Sequence, residues 1–302
     1  MIRRVVVKAV GGLDQLEVEE GPPPPPPSKG QVTVLVKACG LNFYDIYVRH
    51  GLNPEVQPPC TLGLECAGVI SAVAEDVQSV KVGDHVAVHC PQAGACAQQI
   101  TVDEESVIVV AKDISFEVAA SFTITYQTAY FSLFHLGGLR PGGAVFIHSA
   151  AGGVGWAATQ LAKTIPDVTV FGTASAHKHD AIQENGVDYA IHHDQVVLIG
   201  AKGMIKGEHR SLWCVLKTWW NTKNVSPQSL IMKNHAVAGF HLSELRKKDP
   251  KAFRKGWIEV RDMITNGVLS PRIDSVWKFE EILEASKQIS EWKNIGKVIV
   301  KP

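Results

Sequence analysis

The sequence predicts an α/β protein in which a small β-barrel domain is followed by a doubly wound parallel sheet. Three observations carry that prediction. Up to about residue 115 the chain runs in short apolar or alternating segments divided by Gly, Pro and Asp, the pattern of antiparallel strands. From about Phe116 strands are separated by helical runs, the pattern of a parallel sheet. The most informative part is residues 144–162 (AVFIHSAAGGVGWAATQLA), an apolar strand that enters a turn of small residues and continues into an Ala/Leu-rich helix ended by Ile165-Pro166.

In chain order, strands are expected at Val5–Val10, Gln31–Cys39, Gly68–Val73 and Asp84–Val88. The six prolines Pro22–Pro27 must form an extended polyproline segment on the surface, read either as a linker between strands or as a ligand for a proline-binding partner domain. Asp167–Gly172 and Tyr189–His192 continue the strand series after the central helix. The last part holds a helix over Lys251–Asn266 with Gly267 beyond it, a strand Ile273–Trp277, a helix from Glu280 to about Trp292, and a closing strand Lys297–Val300. The domain plan is therefore residues 1–117, a nucleotide-binding domain over 118–242, and a return to the first domain over 243–302.

Composition sets the class of partner. With 30 basic and 30 acidic residues among 302, there is no electrostatic reason to expect nucleic acid or an anionic membrane. No apolar run reaches the roughly 20 residues that span a bilayer, and the apolar part of Met1–Lys8 is too short for a secretory signal, so a cytoplasmic protein is expected. Cys39, Cys60, Cys66, Cys90, Cys96 and Cys214 show no CxxC pairing and read as reduced structural thiols.

The central turn reproduces the dinucleotide fingerprint G-x-G-x-x-G with Ala150 in first place, then Gly152 and Gly155. Ala150 permits the tight turn, Gly152 lets backbone approach a pyrophosphate, and Gly155 lets helix lie on strand, while the first amides of the helix face the anion. The following strand decides between cofactors. NAD sites carry an acid at its end for the ribose hydroxyls; here the chain reads GTASAHK over 172–178. Ser175 can hydrogen-bond a 2′-phosphate and Lys178 can neutralise it, so NADPH is expected. The alternative is that Ser175 caps the next helix and Lys178 is a solvated first-turn lysine.

Landmarks spread over almost the whole chain, namely ACGLNFYD (38–45), GLECAGV (63–69), VGDHV (82–86), TAY (128–130), the glycine turn and NIGKV (294–298), resemble the zinc-independent quinone oxidoreductases of the medium-chain dehydrogenase/reductase superfamily. VFGTAS (170–175), TWWN (218–221), GFHL (239–242) and IDSVW (273–277) are most similar to the vesicle amine transport protein homologues of synaptic vesicle membranes. The resemblance implies a GroES-like barrel built from the first and last segments around a Rossmann domain, with the active site in the cleft between them. It further implies a homodimer, and peripheral attachment to vesicle or mitochondrial outer membranes if membranes are met at all.

Zinc enzymes of that superfamily have Cys where this chain has Asn42 and His where it has Leu64, so no metal is expected. Without a Lewis acid the chemistry implied is hydride transfer from NADPH to a quinone or an α,β-unsaturated carbonyl. Family resemblance makes Asn42 and Tyr47 the catalytic candidates, with Asn42 beside the nicotinamide and Tyr47 the proton donor. A second tyrosine of the family is Asn53 here. The cofactor contacts implied are Asn42, Thr128, Ala150, Gly152, Gly153, Val154, Gly155, Thr173, Ser175, Lys178, His193, Gly200, Phe240, Leu242 and Asn294, with His193 standing where many relatives have tyrosine.

Other candidates have plainer readings. Glu65 precedes a buried strand and reads as a structural carboxylate, and Asp45 as a helix-start carboxylate. His177, His179, His192 and His193 read as solvated rather than metal-binding. Trp213, Trp219 and Trp220 lie on an aromatic stretch read as core, the alternative being a partner surface.

One feature conflicts with a complete doubly wound sheet. Gln195–Gly200 looks like a further strand, yet only His193 and Asp194 separate it from Tyr189–His192, and neighbouring parallel strands need a crossover of about a dozen residues or more. Two functional readings follow: an NADPH-dependent oxidoreductase, or a weakly or non-catalytic nucleotide-binding protein of vesicle or organelle membranes.

Overall fold

The computed structural model describes residues 1–53, 55–192, 205–206, 209–210, 230, 232, 236 and 238–302. The first part opens with β1 (Ile2–Val7), β2 (Leu16–Gly21), β3 (Gln31–Leu41) and helix α1 (Phe43–Arg49). It continues with β4 (Cys60–Thr61), β5 (Glu65–Val73), β6 (His85–His89), β7 (Gln99–Asp103) and β8 (Val107–Val109). Helices α2 (Phe116–Ala119) and α3 (Thr125–Tyr130) lead across to β9 (Ala144–Ile147), α4 (Gly153–Lys163), β10 (Thr169–Ala174), α5 (His179–Glu184) and β11 (Tyr189–His192). After the short backbone pairing of β12 (Ile205–Lys206) with β13 (His209–Arg210) come α6 (Leu242–Lys248), α7 (Pro250–Thr265), β14 (Ile273–Lys278), α8 (Ile282–Ser290) and β15 (Lys297–Lys301).

The expected β-rich domain is present, but its strands do not close into a barrel. They form a seven-stranded sheet along the path β14-β15-β3-β5-β6-β8, with β7 also on β3, and a separate antiparallel sheet β2-β1-β4. The ladder stops because side chains take the place of a further strand at β8. Arg254 donates to the Val107 carbonyl at 2.6 Å, and Arg261 reaches the Val109 carbonyl at 3.5 Å. Arg246 donates to the His89 carbonyl at 3.1 Å and to Ser106 at 2.7 Å. The small sheet meets the segment before β7 through Val5 N–H to Cys96 O at 2.8 Å and Gln98 N–H to Arg3 O at 2.9 Å, and the Gln98 carbonyl in turn accepts the Val36 N–H of β3 at 3.0 Å.

Among the described residues the second sheet is β11-β10-β9, all parallel, as the strand, turn and helix alternation requires. Residues 195–200, 213–220 and Cys214 lie outside the described set, and with them the reading of a further strand and of the tryptophans as core. Two apolar cores result. One joins Val34, Ile70 and Val86 of the large sheet with Phe279 and Ile289 from the end of the chain. The other joins Phe131, Ile147, Leu161 and Val170 with Phe253, Trp257 and Val260 of α7. Helix α7 shares the second core with the parallel sheet and with Ala38, Ala67, Ala87 and Ile108 of the large sheet, and the chain rejoins the first core through the 3₁₀ turn and helix that follow β14.

The junction of strand and helix at the glycine turn is as close as the fingerprint demands. A Cβ built on Gly155 would lie 2.3 Å from Ser149 O and 2.7 Å from the Ala150 Cα, both backbone atoms with nowhere to move. Gly155→Ala must push α4 off β9, at a cost of about 1–3 kcal/mol. A lowered urea midpoint is the expected outcome, and a variant as stable as the parent would overturn this account of the turn.

Candidate functional site

At the end of β3 the backbone turns into α1 at Asn42, whose N–H donates to Asp45 Oδ2 at 2.7 Å and so starts the helix. Its amide is held on both sides. Nδ2 donates to Glu65 Oε1 at 2.9 Å and to Gly40 O at 3.2 Å, while Oδ1 accepts from Lys297 Nζ at 2.6 Å. Glu65, the first residue of β5, is fully buried, and its Oε1 also takes Lys297 Nζ in an ion pair. Its Oε2 accepts Thr123 Oγ1 at 2.7 Å and the Ile124 N–H at 3.0 Å. The Glu65 and Lys297 charges thus have partners, which is the condition for burying them at all. Gly40 makes room: a Cβ there would lie 2.2 Å from Ala120 O and 2.8 Å from Lys297 Cε.

Above this cluster lies a narrow cavity of about 120 Å³ bounded by Asn42, Phe43, Thr125, Gly152, Val154 and Trp292. A wider cleft of about 500 Å³ adjoins it, lined by Ser149, Gly152, Ser175, His177, Lys178 and Asn294. Gly152 is the residue before α4, and Ser149, held at φ 55°, sharpens the turn. Thr173 is fully buried and supports the turn from behind, its hydroxyl accepting the Ser149 N–H at 3.0 Å and lying 2.9 Å from His148 Nδ1.

The segment 291–296 closes over both cavities. The Gly296 N–H donates to Ala151 O at 2.9 Å, and Lys178, only 5% exposed, donates to the carbonyls of Trp292 at 2.6 Å and Asn294 at 2.8 Å. Lys178 is therefore not a solvated first-turn lysine. Burial lowers its pKa, and Asp274 opposes that shift. Ser175 precedes the next turn without a side-chain capping bond. Trp292 stacks on Phe43 with ring centroids 4.8 Å apart, and Phe43 meets Tyr47 edge-on at 5.4 Å. Burial raises the Tyr47 pKa, so its phenol carries a proton at neutral pH.

Of the residues expected at the site, Asn42, Gly152, Gly153, Val154 and Asn294 line the narrow cavity, and Gly152, Ser175, Lys178 and Asn294 the wide one. Ala150 and Gly155 shape the turn. Tyr47 connects to the cavity through Phe43, whereas Phe240 and Leu242 pack with the apolar core and Thr128 lines neither cavity. His193 and Gly200 lie outside the described residues. Lys297 and Trp292 were not singled out from sequence, because each acts on partners more than 100 residues away, and neither was Thr125, which lies against Gly153. No group of three or more metal-ligating side chains occurs among the described residues.

Comparison with known proteins gives one consistent result. Residues 28–124 match the Alcohol dehydrogenase GroES-like domain and residues 162–300 the Zinc-binding dehydrogenase family. The synaptic vesicle membrane protein VAT-1 homolog of Rattus norvegicus is 38% identical, covering 100% of this chain and 84% of that protein. A quinone oxidoreductase-like protein 2 homolog of Nematostella vectensis is 28% identical over 94% of this chain and 85% of its own length. Among solved structures, the human VAT-1 homolog-like protein superposes with a TM-score of 0.85 at 31% identity, over 100% of this chain and 98% of that one. Escherichia coli quinone oxidoreductase complexed with NADPH shares the fold, with a TM-score of 0.75 at 23% identity over 99% and 100% of the two chains. The rat protein aligns over 342 positions against 302 residues here, leaving about 40 of its positions without a counterpart.

One group in this site carries a pH signature. Burial raises the Asp45 carboxyl from 3.8 to about 7. The fold holds its proton more tightly than the unfolded chain does, so this contribution to stability is complete below about pH 4 and is lost as pH rises to about 7. Asp45→Asn should flatten the fall in stability between pH 4 and pH 8, as read from urea midpoints across that range. An unchanged slope would show that Asp45 is not the titrating group.

Proposed function

Because the chain belongs to the medium-chain dehydrogenase/reductase superfamily, in its VAT-1 group, we propose that it is a zinc-independent, NADPH-dependent oxidoreductase acting on quinones or α,β-unsaturated carbonyls. The observation that carries the cofactor is the end of β10. Ser175 and Lys178 line the wide cleft beside the glycine turn, with no carboxylate on that strand end to repel a phosphate. The turn fits a pyrophosphate: at Gly152 the nearest atom to a built Cβ is Ser149 O at 3.4 Å, so the backbone stands open to the cleft at the start of an 11-residue helix.

NADPH supplies the hydride in such an enzyme. The chain's own residues then divide the remaining work. Lys178 and Ser175 hold the adenosine end, the α4 amides hold the diphosphate, and Asn42, fixed by Glu65 and Lys297, walls the narrow end. The protonated Tyr47 phenol, behind Phe43, is the proton donor, either directly or through water. Asn42 and Leu64 occupy the positions of zinc ligands in metal-dependent relatives, and neither suits that ion. The relatives' description as synaptic vesicle membrane proteins favours peripheral contact with a membrane, since no described helix is long and apolar enough to cross one.

A second reading has its own support. The narrow cavity is below the roughly 300–1,000 Å³ of ordinary ligand sites, and about 40 positions of the rat relative are missing from the aligned span. A nucleotide-binding protein with little turnover would look like this. Purified protein that oxidises NADPH with ortho- or para-quinones supports the enzyme, and NADPH binding with no turnover on quinones or enones supports the second reading.

Two measurements test the first reading further. NADPH should bind about 30- to 150-fold tighter than NADH, equivalent to about 2–3 kcal/mol from one or two charge-assisted bonds. Lys178→Ala should remove most of that preference; equal affinities in the parent protein would sink the assignment. Exhaustive chelation should leave both the thermal transition and any quinone reductase activity unchanged, and stoichiometric zinc lost together with activity would overturn the metal-free mechanism.

A further inference from the structure

The Pro22–Pro27 run connects β2 to β3 on the outside of the first domain. Six consecutive prolines fix φ near about −65° and exclude the helical region for each preceding residue, which leaves a polyproline II helix of three residues per turn. Such a helix has three ridges, and here they are not equivalent. Pro24 and Pro27 are half-buried, whereas Pro22 and Pro25 on the second ridge and Pro23 and Pro26 on the third are exposed. The protein packs one ridge against itself and presents the other two side by side.

The segment is also held in place. Thr101 Oγ1 donates to Pro25 O at 3.3 Å, and Pro24 faces a recess lined also by the edge of Pro22, Thr101 and Val102. Beyond the run, Ser28 and Gln31 bond each other in both directions, at 3.2 and 2.9 Å, and the Gly30 N–H donates to Asp76 at 3.0 Å. Before it, Gly21 is paired with Ile2 in the small sheet. A ligand already extended and anchored at both ends loses little freedom on binding.

We propose that the exposed Pro22/Pro25 and Pro23/Pro26 ridges are a docking surface for the aromatic-lined, polyproline-binding groove of a partner protein. Such grooves seat adjacent proline ridges between aromatic rings, which is the pair left free here. No charge lies within the run, so the partner reads proline shape and carbonyls rather than an ion pair. The surface is remote from the nucleotide cleft in sequence and in its lining residues, and docking there is independent of any reductase activity.

The test uses the whole chain and purified profilin, whose groove accepts plain oligoproline. Isotope-labelled profilin titrated with the intact protein should show saturable shifts at its groove aromatics, displaced by free decaproline. Pro23→Ala/Pro26→Ala should weaken binding at least about tenfold, and Pro24→Ala/Pro27→Ala by less than about threefold. Absence of saturable shifts, shifts that decaproline does not displace, or equal loss in the two variants would overturn the proposal. Should either variant lose its thermal transition, displacement by decaproline from the parent protein decides alone.

Discussion

The Lys297 ammonium and the Glu65 carboxylate form the interaction on which the rest of the site depends. Both are buried, and breaking such a pair by removing one member leaves an uncompensated charge, worth about 3–5 kcal/mol in comparable interiors. The pair joins distant parts of the chain: Glu65 opens β5, Thr123 and Ile124 precede α3, Asn42 stands between β3 and α1, and Lys297 opens β15. Because Asn42 is hydrogen-bonded on both sides of its amide, the wall of the narrow cavity is rigid. Because Ile124 is held by the same carboxylate, Thr125 is set against Gly153, where a Cβ would lie 2.9 Å from its methyl group. The cluster thus sets the distance between the two halves of the cleft.

Local pattern made much of this legible in the sequence. Tyr189–His192 is a strand with the bounds expected, and the helix over 251–266 runs from Pro250 to Thr265. The glycine turn has the shape its small residues require. Closure of the barrel was not legible, since it depends on whether a neighbour meets β8 as a strand or, as here, as Arg254 and Arg261 side chains from a helix about 150 residues later. Nor could periodicity tell which core α7 joins.

The site shows the same division. Ser175 and Lys178 follow from the end of a recognisable strand, and both line the cleft. That Lys178 is tied to the carbonyls of Trp292 and Asn294 has no local signal, because those carbonyls are more than 110 residues away. A phosphate that takes up the lysine must share or replace those bonds. Cofactor affinity and the closure of segment 291–296 are then coupled quantities, each altering the other by the same free energy.

The position of β15 has a consequence for how the chain is made. This strand lies between β14 and β3, bonded to the latter through Leu41, Gly40 and Cys39, so residues near the start of the chain wait for residues near 300 before their sheet is filled. The parallel sheet makes no such demand, since β9, β10 and β11 lie within about 50 residues of one another. During synthesis the inner βαβ unit can form while the first domain still exposes the β3 edge and an unneutralised Glu65. Contacts of long sequence separation are slow to form and leave edges open meanwhile. The β3 edge and the Glu65 carboxylate therefore stay without these partners until residue 297 has been made.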